Sequence, residues 1–237
     1  MKFPFSRSVQ KRTLLVLSGL DGTGKSTQAN LLSEKLSESG YINQVVWNRW
    51  NPYLSAPLIR LAKGLITSNP NAAETDYSSF TKSKQKQMSK SYKRFLWLLL
   101  VCFEYGSQVY YRLLHAGFLN KIIISDRYIY DTLIDIAINF SLLPNEVHSL
   151  LHSRLFSIFP KPSFVIFFDV TPSIGALRKS DGTPQQYLED RRPYYLELSK
   201  ALCAPIVDTD DPLNIVSDRV FSHVDTWICS VIEKKEN

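Results

Sequence analysis

Residues Gly19 to Thr27 read GLDGTGKST. Gly19, Gly24, Lys25 and Ser26 meet the spacing G-x-x-x-x-G-K-S of a phosphate-binding loop. Each residue type has a task in such a loop. Glycines let the backbone turn so that successive N–H groups face phosphate oxygens. A helix that starts there adds the partial positive charge of its N-terminus. Lys25 is placed to reach the β- and γ-phosphates, and the Ser26 hydroxyl to ligand Mg²⁺. The apolar run Leu14-Leu15-Val16-Leu17 precedes the loop and a helix-like pattern follows it. That strand–loop–helix setting predicts binding of a nucleoside triphosphate.

A second group stands at the end of another apolar run, in the segment SDRYIYD. Asp126 there can reach the Mg²⁺ shell, and Arg127 can reach phosphates in the same crevice. Open α/β sheets bind ligands at that end of their strands. A regulatory GTPase would need an Asn-Lys-x-Asp guanine reader, and the chain has none. A large motor ATPase would need more chain and an acidic pair closing a strand. The four histidines, His115, His148, His152 and His223, form no ligand pattern. His148 and His152 are four apart but lack the intervening glutamate of a zinc helix.

Five short runs must carry these groups: 13–18, 44–47, 121–125, 163–168 and 205–208. They are apolar on both faces (IIIS, FVIFF), as parallel strands covered on both sides require. The stretches between them are long enough for crossover helices, which predicts a three-layer α/β fold. Ala29, Leu32 and Leu36 recur at helical spacing and Gly40 closes that helix. Asp211-Pro212 reads as the start of the last helix, with Leu213, Val216, Val220 and Val224 as its apolar stripe. No Gly/Pro-rich linker divides the 237 residues, so a single domain is expected. Residues 1–12 read as a basic extension without a signal-peptide core.

Net charge is +6, which suits an anionic partner. The basic segment 82–94 fits a solvated helix start or a patch that gathers anionic substrate. Cys102, Cys203 and Cys229 lie far apart and lack CxxC spacing, so reduced, cytoplasmic thiols are expected. The run FLWLLLVCF, 95–103, is too short to span a bilayer, which needs about 20 residues. It reads as a buried helix segment.

GLDGTGKSTQ followed by DRY after a buried strand resembles the thymidylate kinase family of nucleoside monophosphate kinases. The resemblance runs along most of the chain and includes FFDVTP (167–172), YYLEL (194–198) and VDTDDPLNIV (207–216). It implies a P-loop NTPase fold with a five-stranded parallel sheet flanked by helices, ATP and Mg²⁺ as cofactors, and a lid at about 178–192. By position, Gly19, Gly22, Thr23, Gly24, Lys25, Ser26 and Thr27 would hold the ATP phosphates, and Ser26 and Asp126 the metal. Asp21 matches the loop aspartate near the acceptor, and Asp126-Arg127 the Asp-Arg pair. Arg49 matches the arginine that grips the acceptor phosphate. Arg178 matches the first lid arginine and Arg192 a later one. Lys25, Asp21, Arg127 and Arg178 are the catalytic candidates. Since Gly22 and Thr23 supply no cation, the lid must do so.

The departures cluster at the acceptor. Arg49-Trp50-Asn51-Pro52 stands where the family has Arg-Glu-Pro-Gly, and Glu104-Tyr105 where it has Asp-Arg. The stretch 129–137, IYDTLIDIA, lacks the family's Tyr-Gln, and the lid is shorter without its Asp-Arg-x-Glu. The acceptor candidates are Asp21, Arg49, Trp50, Tyr105, Arg127, Tyr128 and Asp131, with Trp47, Tyr53, Glu104 and Tyr130 beside them. Asp131 and Asp135 lie one helical turn apart and can share a face. Three readings stay open: a nucleoside monophosphate kinase with deoxythymidylate as family default, a kinase acting on a sugar or natural-product intermediate with Asp21 or Asp131 as base, and an ATP-binding module without turnover. The expected partner is a small-molecule phosphate acceptor, with neither nucleic acid nor membrane. Family members often dimerise through helices like 96–111, so a homodimer is open.

Overall fold

A computed structural model describes residues 13–53, 56, 85–86, 90–117, 121–179 and 181–236. The extension 1–12 and residues 82–84 and 87–89 of the basic segment lie outside the described residues. The chain runs β1 (Thr13–Gly19), α1 (Lys25–Glu38), β2 (Asn43–Trp47), α2 (Ser91–His115), β3 (Ile122–Asp126), α3 (Ile129–Asn139), α4 (Val147–Leu151), β4 (Phe164–Asp169), α5 (Pro172–Arg178), α6 (Gln185–Ala201), β5 (Ile206–Asp208) and α7 (Leu213–Glu236). The five strands pair in the order β2-β3-β1-β4-β5, all parallel. Each lies within a residue or so of its expected place, since a five-residue apolar run between turn signals has little room to slide.

The sheet buries both faces because its side chains alternate between two cores. Leu14 and Val16 of β1, Ile123 of β3 and Phe167 of β4 enter one core with α2, α3 and α6. Leu15 and Leu17, Ile122 and Ile124, and Ile166 and Phe168 enter the other with α1 and α7. That is the three-layer α/β architecture the apolar runs predict.

The helix punctuation follows local chemistry. Ala29, Leu32 and Leu36 of α1 are buried. Gly40, at φ +86°, closes α1, donating to Ser37 O at 2.9 Å while Tyr41 N–H donates to Leu36 O at 2.9 Å. The last helix starts one residue later than Asp211-Pro212 suggests: Pro212 O accepts from Val216, and Asp211 instead pairs with Arg219 at 2.7 Å. Val216, Val220 and Val224 are buried, but Leu213, on the first turn beyond the core, is exposed.

One expectation about α2 is half right. Val101 and Cys102 of the run 95–103 are buried, whereas Phe95, Leu96, Leu99 and Phe103 are exposed. The helix touches the core along one stripe only, and its opposite face is equally apolar. No helix of the described residues is long and apolar enough to cross a membrane.

The order β3-β1-β4 puts the phosphate loop between the ends of β3 and β4, the one place where loops from two neighbouring strands can converge on it. Ile123 sits at the centre of this packing, fully buried. Replacing it with alanine should lower stability by about 2–5 kcal/mol, read as a shift of the denaturant midpoint at unchanged slope.

Candidate active site

The loop from Gly19 to Gly24 needs a backbone that side chains rarely allow. Gly19, Gly22 and Gly24 all have positive φ. A Cβ on Gly19 would lie 2.2 Å from Phe168 O, and one on Gly22 would lie 2.4 Å from Gly175 O. Glycine at 19 therefore lets β1 and β4 close up, and glycine at 22 lets α5 sit on the loop.

Lys25 opens α1 and is buried. Its ammonium folds back over the loop and donates to Gly19 O at 2.9 Å, Leu20 O at 2.5 Å and Thr23 Oγ1 at 3.2 Å. Thr23 in turn donates to Leu20 O at 2.8 Å. Burial and then Arg127 bring the Lys25 ammonium down from 10.5 to about 8, against the pull of Asp21, Asp131 and Asp126.

The donor set for a divalent cation lies one residue on. Ser26 Oγ donates to Asp126 Oδ2 at 2.5 Å, while Asp126 Oδ1 is buried without a hydrogen-bond partner among the described residues. A hydroxyl beside a buried carboxylate oxygen with an unused lone pair fits a hard cation with oxygen ligands, as Mg²⁺ is. No cluster of three metal-binding side chains occurs among the described residues.

Arg127 follows the end of β3 in the left-handed region, at φ +70°. A non-glycine residue there costs about 1–3 kcal/mol and persists only where its surroundings impose it. Arg127 N–H donates to Leu17 O at 2.9 Å, and Ser125 Oγ donates to Arg127 O at 2.7 Å. Asn48, past the end of β2, supports Ser125 at 2.8 Å. The guanidinium pairs with Asp21 and lies 3.6 Å from Asp131 Oδ1. Asp131 also accepts from Ser18 Oγ at 2.9 Å, Tyr128 N–H at 3.1 Å and Tyr195 OH at 2.9 Å. Burial alone would raise the Asp21 carboxyl, but Arg127, Lys25 and Lys179 outweigh it and hold it well below the ordinary carboxylate range.

These groups form one end of a cavity. Asp21, Arg127 and Asp131 are joined there by Thr132 and Asp135 of α3, Tyr187, Arg191 and Tyr195 of α6, and Arg49 and Trp50 past β2. Asp131 and Asp135 do share a face. Arg191 pairs with Asp135 at 2.7 Å and lies 3.4 Å above the Tyr187 ring. The Trp50 ring meets Trp97 edge-on at 5.7 Å, and its Nε1–H is buried without a hydrogen-bond partner among the described residues.

Two acceptor candidates lie elsewhere. Tyr105 and Tyr128 are fully buried in the core and do not line the cavity. Their hydroxyls donate to Asn48 O and, at 2.7 Å, to Pro160 O. Tyr130 packs on Phe167 in the same core. Glu104 is buried and accepts from Tyr53 N–H at 2.5 Å, while Trp47 and Tyr53 are exposed. An aromatic near a strand end serves packing as readily as ligand, and only the register decides. Arg178 and Arg192 are also apart from the cavity. Arg178 donates to Thr209 O at 2.7 Å, and Arg192 forks onto Asp169 at 2.8–3.1 Å, both at the ends of β4 and β5.

Sequence reasoning missed Arg191, Tyr187, Tyr195 and Lys179. Three of them belong to one helix face, at positions 187, 191 and 195, a four-residue spacing visible in YLEDRRPYY. Arg191 restores an arginine to a cavity that lacks the one expected at 104–105.

A parallel sheet with a phosphate loop after β1 and an Asp-Arg pair closing β3 defines a P-loop kinase fold. The family model for thymidylate kinase matches residues 17–220. The chain therefore belongs to the thymidylate kinase family, and it is a kinase, a phosphotransferase. The solved structure of thymidylate kinase from Candida albicans is similar in fold, with a TM-score of 0.56 and 22% identity over 91% of this chain and 92% of that one. No curated protein sequence matches the chain.

The lowered Lys25 value carries a sign that can be tested. Phosphates brought beside the ammonium favour its charged form and return it toward 10.5. Above pH 8 ATP binding should therefore take up a proton, and affinity should weaken as pH rises from 8 to 10. Calorimetry at pH 8.5 in buffers of different ionisation enthalpy should show the uptake in the native protein and lose it in Lys25→Met.

Proposed function

We propose that the chain transfers the γ-phosphoryl group of ATP, with Mg²⁺, to a nucleoside monophosphate, with deoxythymidylate as the family's default acceptor. The observation that supports a phosphate rather than a hydroxyl acceptor is that each of the three carboxylates lining the cavity is held by a cation, Asp21 and Asp131 by Arg127 and Asp135 by Arg191. Asp131 already accepts three hydrogen bonds and faces Arg127. Asp21 is paired with Arg127 and held well below the ordinary carboxylate range. A hydroxyl acceptor needs a general base, whereas a phosphate arrives ionised. The sugar or natural-product reading relied on Asp21 or Asp131 as that base and has less support.

In this reading the N–H groups of 19–27 cradle the ATP phosphates, and Lys25 exchanges its loop carbonyls for the β- and γ-phosphates. Ser26 and Asp126 hold Mg²⁺, which when bound neutralises charge on the phosphate oxygens. Arg49 and Arg191 face the acceptor phosphate, and Arg127 lies between donor and acceptor. Asp21 and Asp131 fix the Arg127 guanidinium, so its charge needs no reorganisation during transfer. Arg178 and Arg192 serve the donor nucleotide near Thr209 and Asp169. The whole chain acts as one kinase domain with 178–192 as lid, in a cytoplasmic setting that suits three unpaired thiols. The Candida albicans enzyme is described as having broad substrate specificity. A wide acceptor range suits this cavity too, since its base-side positions have changed.

The apolar stripe Phe95, Leu99, Phe103 and Tyr110 on α2 is the surface proposed to join two copies. Phe103→Glu should then shift sedimentation from dimer to monomer, and an unchanged coefficient would remove this surface from the reading.

An acceptor screen tests the reaction. With ATP and Mg²⁺, ADP release should follow addition of one or more (deoxy)nucleoside monophosphates and not of nucleosides or sugars. Lys25→Ala should lower turnover at least ~100-fold with an unchanged circular dichroism spectrum. Turnover on sugars alone would replace the proposed acceptor.

A further inference from the structure

The phosphate loop carries Gly22 and Thr23 where an overhanging side chain could supply charge, and neither is a cation. The transferring phosphoryl group spreads negative charge over three oxygens, and a cation positioned there is worth about 10³–10⁵ in turnover. Sequence position nominates Arg178, but Arg178 is committed to Thr209 O at the donor end. Arg192 is committed to Asp169.

Three cations bear on Asp21: Arg127, Lys25 and Lys179. Arg127 is held between Asp21 and Asp131. Lys25 rises from within the loop. Lys179 comes from the other side. It follows α5, which lies so close to the loop that a Cβ on Gly22 would strike Gly175 O. Its Nζ is 3.9 Å from Asp21 Oδ2 and 2.6 Å from Asp181 Oδ2, and the side chain remains one-quarter exposed. Asp181 is itself fixed, accepting from Thr183 N–H at 3.1 Å and Thr183 Oγ1 at 2.6 Å. Lys179 is thus held beside the loop by Asp181, with Asp21 as its more distant partner.

We propose that Lys179 is the catalytic cation over the transferring phosphoryl group and that Asp181 positions it. The inference rests on the phosphoryl-transfer reading above and names the lid residue for it. An acceptor phosphate oxygen forms a bond to the γ-phosphorus as the bond from that phosphorus to the bridging oxygen breaks. ADP leaves with the electron pair. The Lys179 ammonium donates to a non-bridging oxygen throughout and keeps its proton. Arg127 covers the acceptor side of the same group, so the charge is met from two directions.

The test compares Lys179→Ala, Lys179→Arg, Arg178→Ala and Asp181→Asn in the full chain. Lys179→Ala should lower kcat at least 100-fold, and Lys179→Arg should recover most of it. In binding, Lys179→Ala should weaken the β,γ-imido analogue of ATP at least fivefold and leave ADP unchanged, because only the analogue carries a γ-phosphoryl group. Arg178→Ala should weaken both nucleotides alike. Asp181→Asn should follow Lys179→Ala in direction with a smaller loss, and the double variant should be no worse than Lys179→Ala alone. Native kcat and native analogue affinity in Lys179→Ala would overturn the proposal, as would a γ-selective loss confined to Arg178→Ala. If the native protein turns over no nucleoside monophosphate, the proposed acceptor fails, and the analogue-against-ADP comparison still decides Lys179.

Discussion

Arg127 between Asp21 and Asp131 is the interaction on which the rest of the site depends. It ties the loop after β1, the end of β3 and the first turn of α3 into one unit. The pairing is buried, so its partners have little water to fall back on. Burial works against charge in both groups, yet Arg127, Lys25 and Lys179 overcome it for Asp21, and Asp131 and Asp21 overcome it for Arg127. Removing one member would leave an uncompensated buried charge, which costs about 3–5 kcal/mol. Main-chain hydrogen bonds to Leu17 O and from Ser125 Oγ accompany the left-handed backbone of Arg127. The apolar cores on either side of the sheet supply the stability that tolerates such strain.

Around this unit the charges are sorted by the elements that carry them. The proposed donor end is built from loop N–H groups, Lys25 and the Ser26–Asp126 pair, all close to the ends of β1 and β3. The proposed acceptor end is built from side chains of α3 and α6 that approach across the cavity and from Arg49 and Trp50 past β2, with Arg191 and Asp135 as a second ion pair. The loop end is local in sequence. The cavity end depends on how two helices pack, and Asp131 ties it back to the loop through Arg127.

Glycine governs how closely the lid approaches. A Cβ on Gly22 would strike the Gly175 backbone, and a Cβ on Gly175 would press on Leu188 and Val170 and come 3.2 Å from Asp21 O. This contact sets the height of α5 above the loop and so the reach of the turn that follows. Arg178 and Lys179 diverge, Arg178 to Thr209 O and Lys179 toward Asp21, because one closes the helix and the next begins the turn.

The sequence by itself determined the sheet, the phosphate loop and the Asp126-Arg127 pair. Each is written in contiguous residues: apolar runs of strand length, glycines at positive φ, and a charged pair closing a strand. Asp21, Arg49, Trp50, Asp131 and Asp135 also meet in one cavity, since their places follow from strand ends and one helical turn. Only the tertiary structure decided which aromatics are core. Tyr105 and Tyr128 look the same in sequence whether they meet a ligand or a backbone carbonyl, and the packing of α2 and α3 buries both. Only the tertiary structure brought Tyr187, Arg191 and Tyr195 of α6 to residues more than fifty positions earlier. It also turned Arg178 to Thr209 O and Lys179 toward Asp21. Local spacing can predict a turn or a face, but the partner across a cavity is set by the close packing of separate elements.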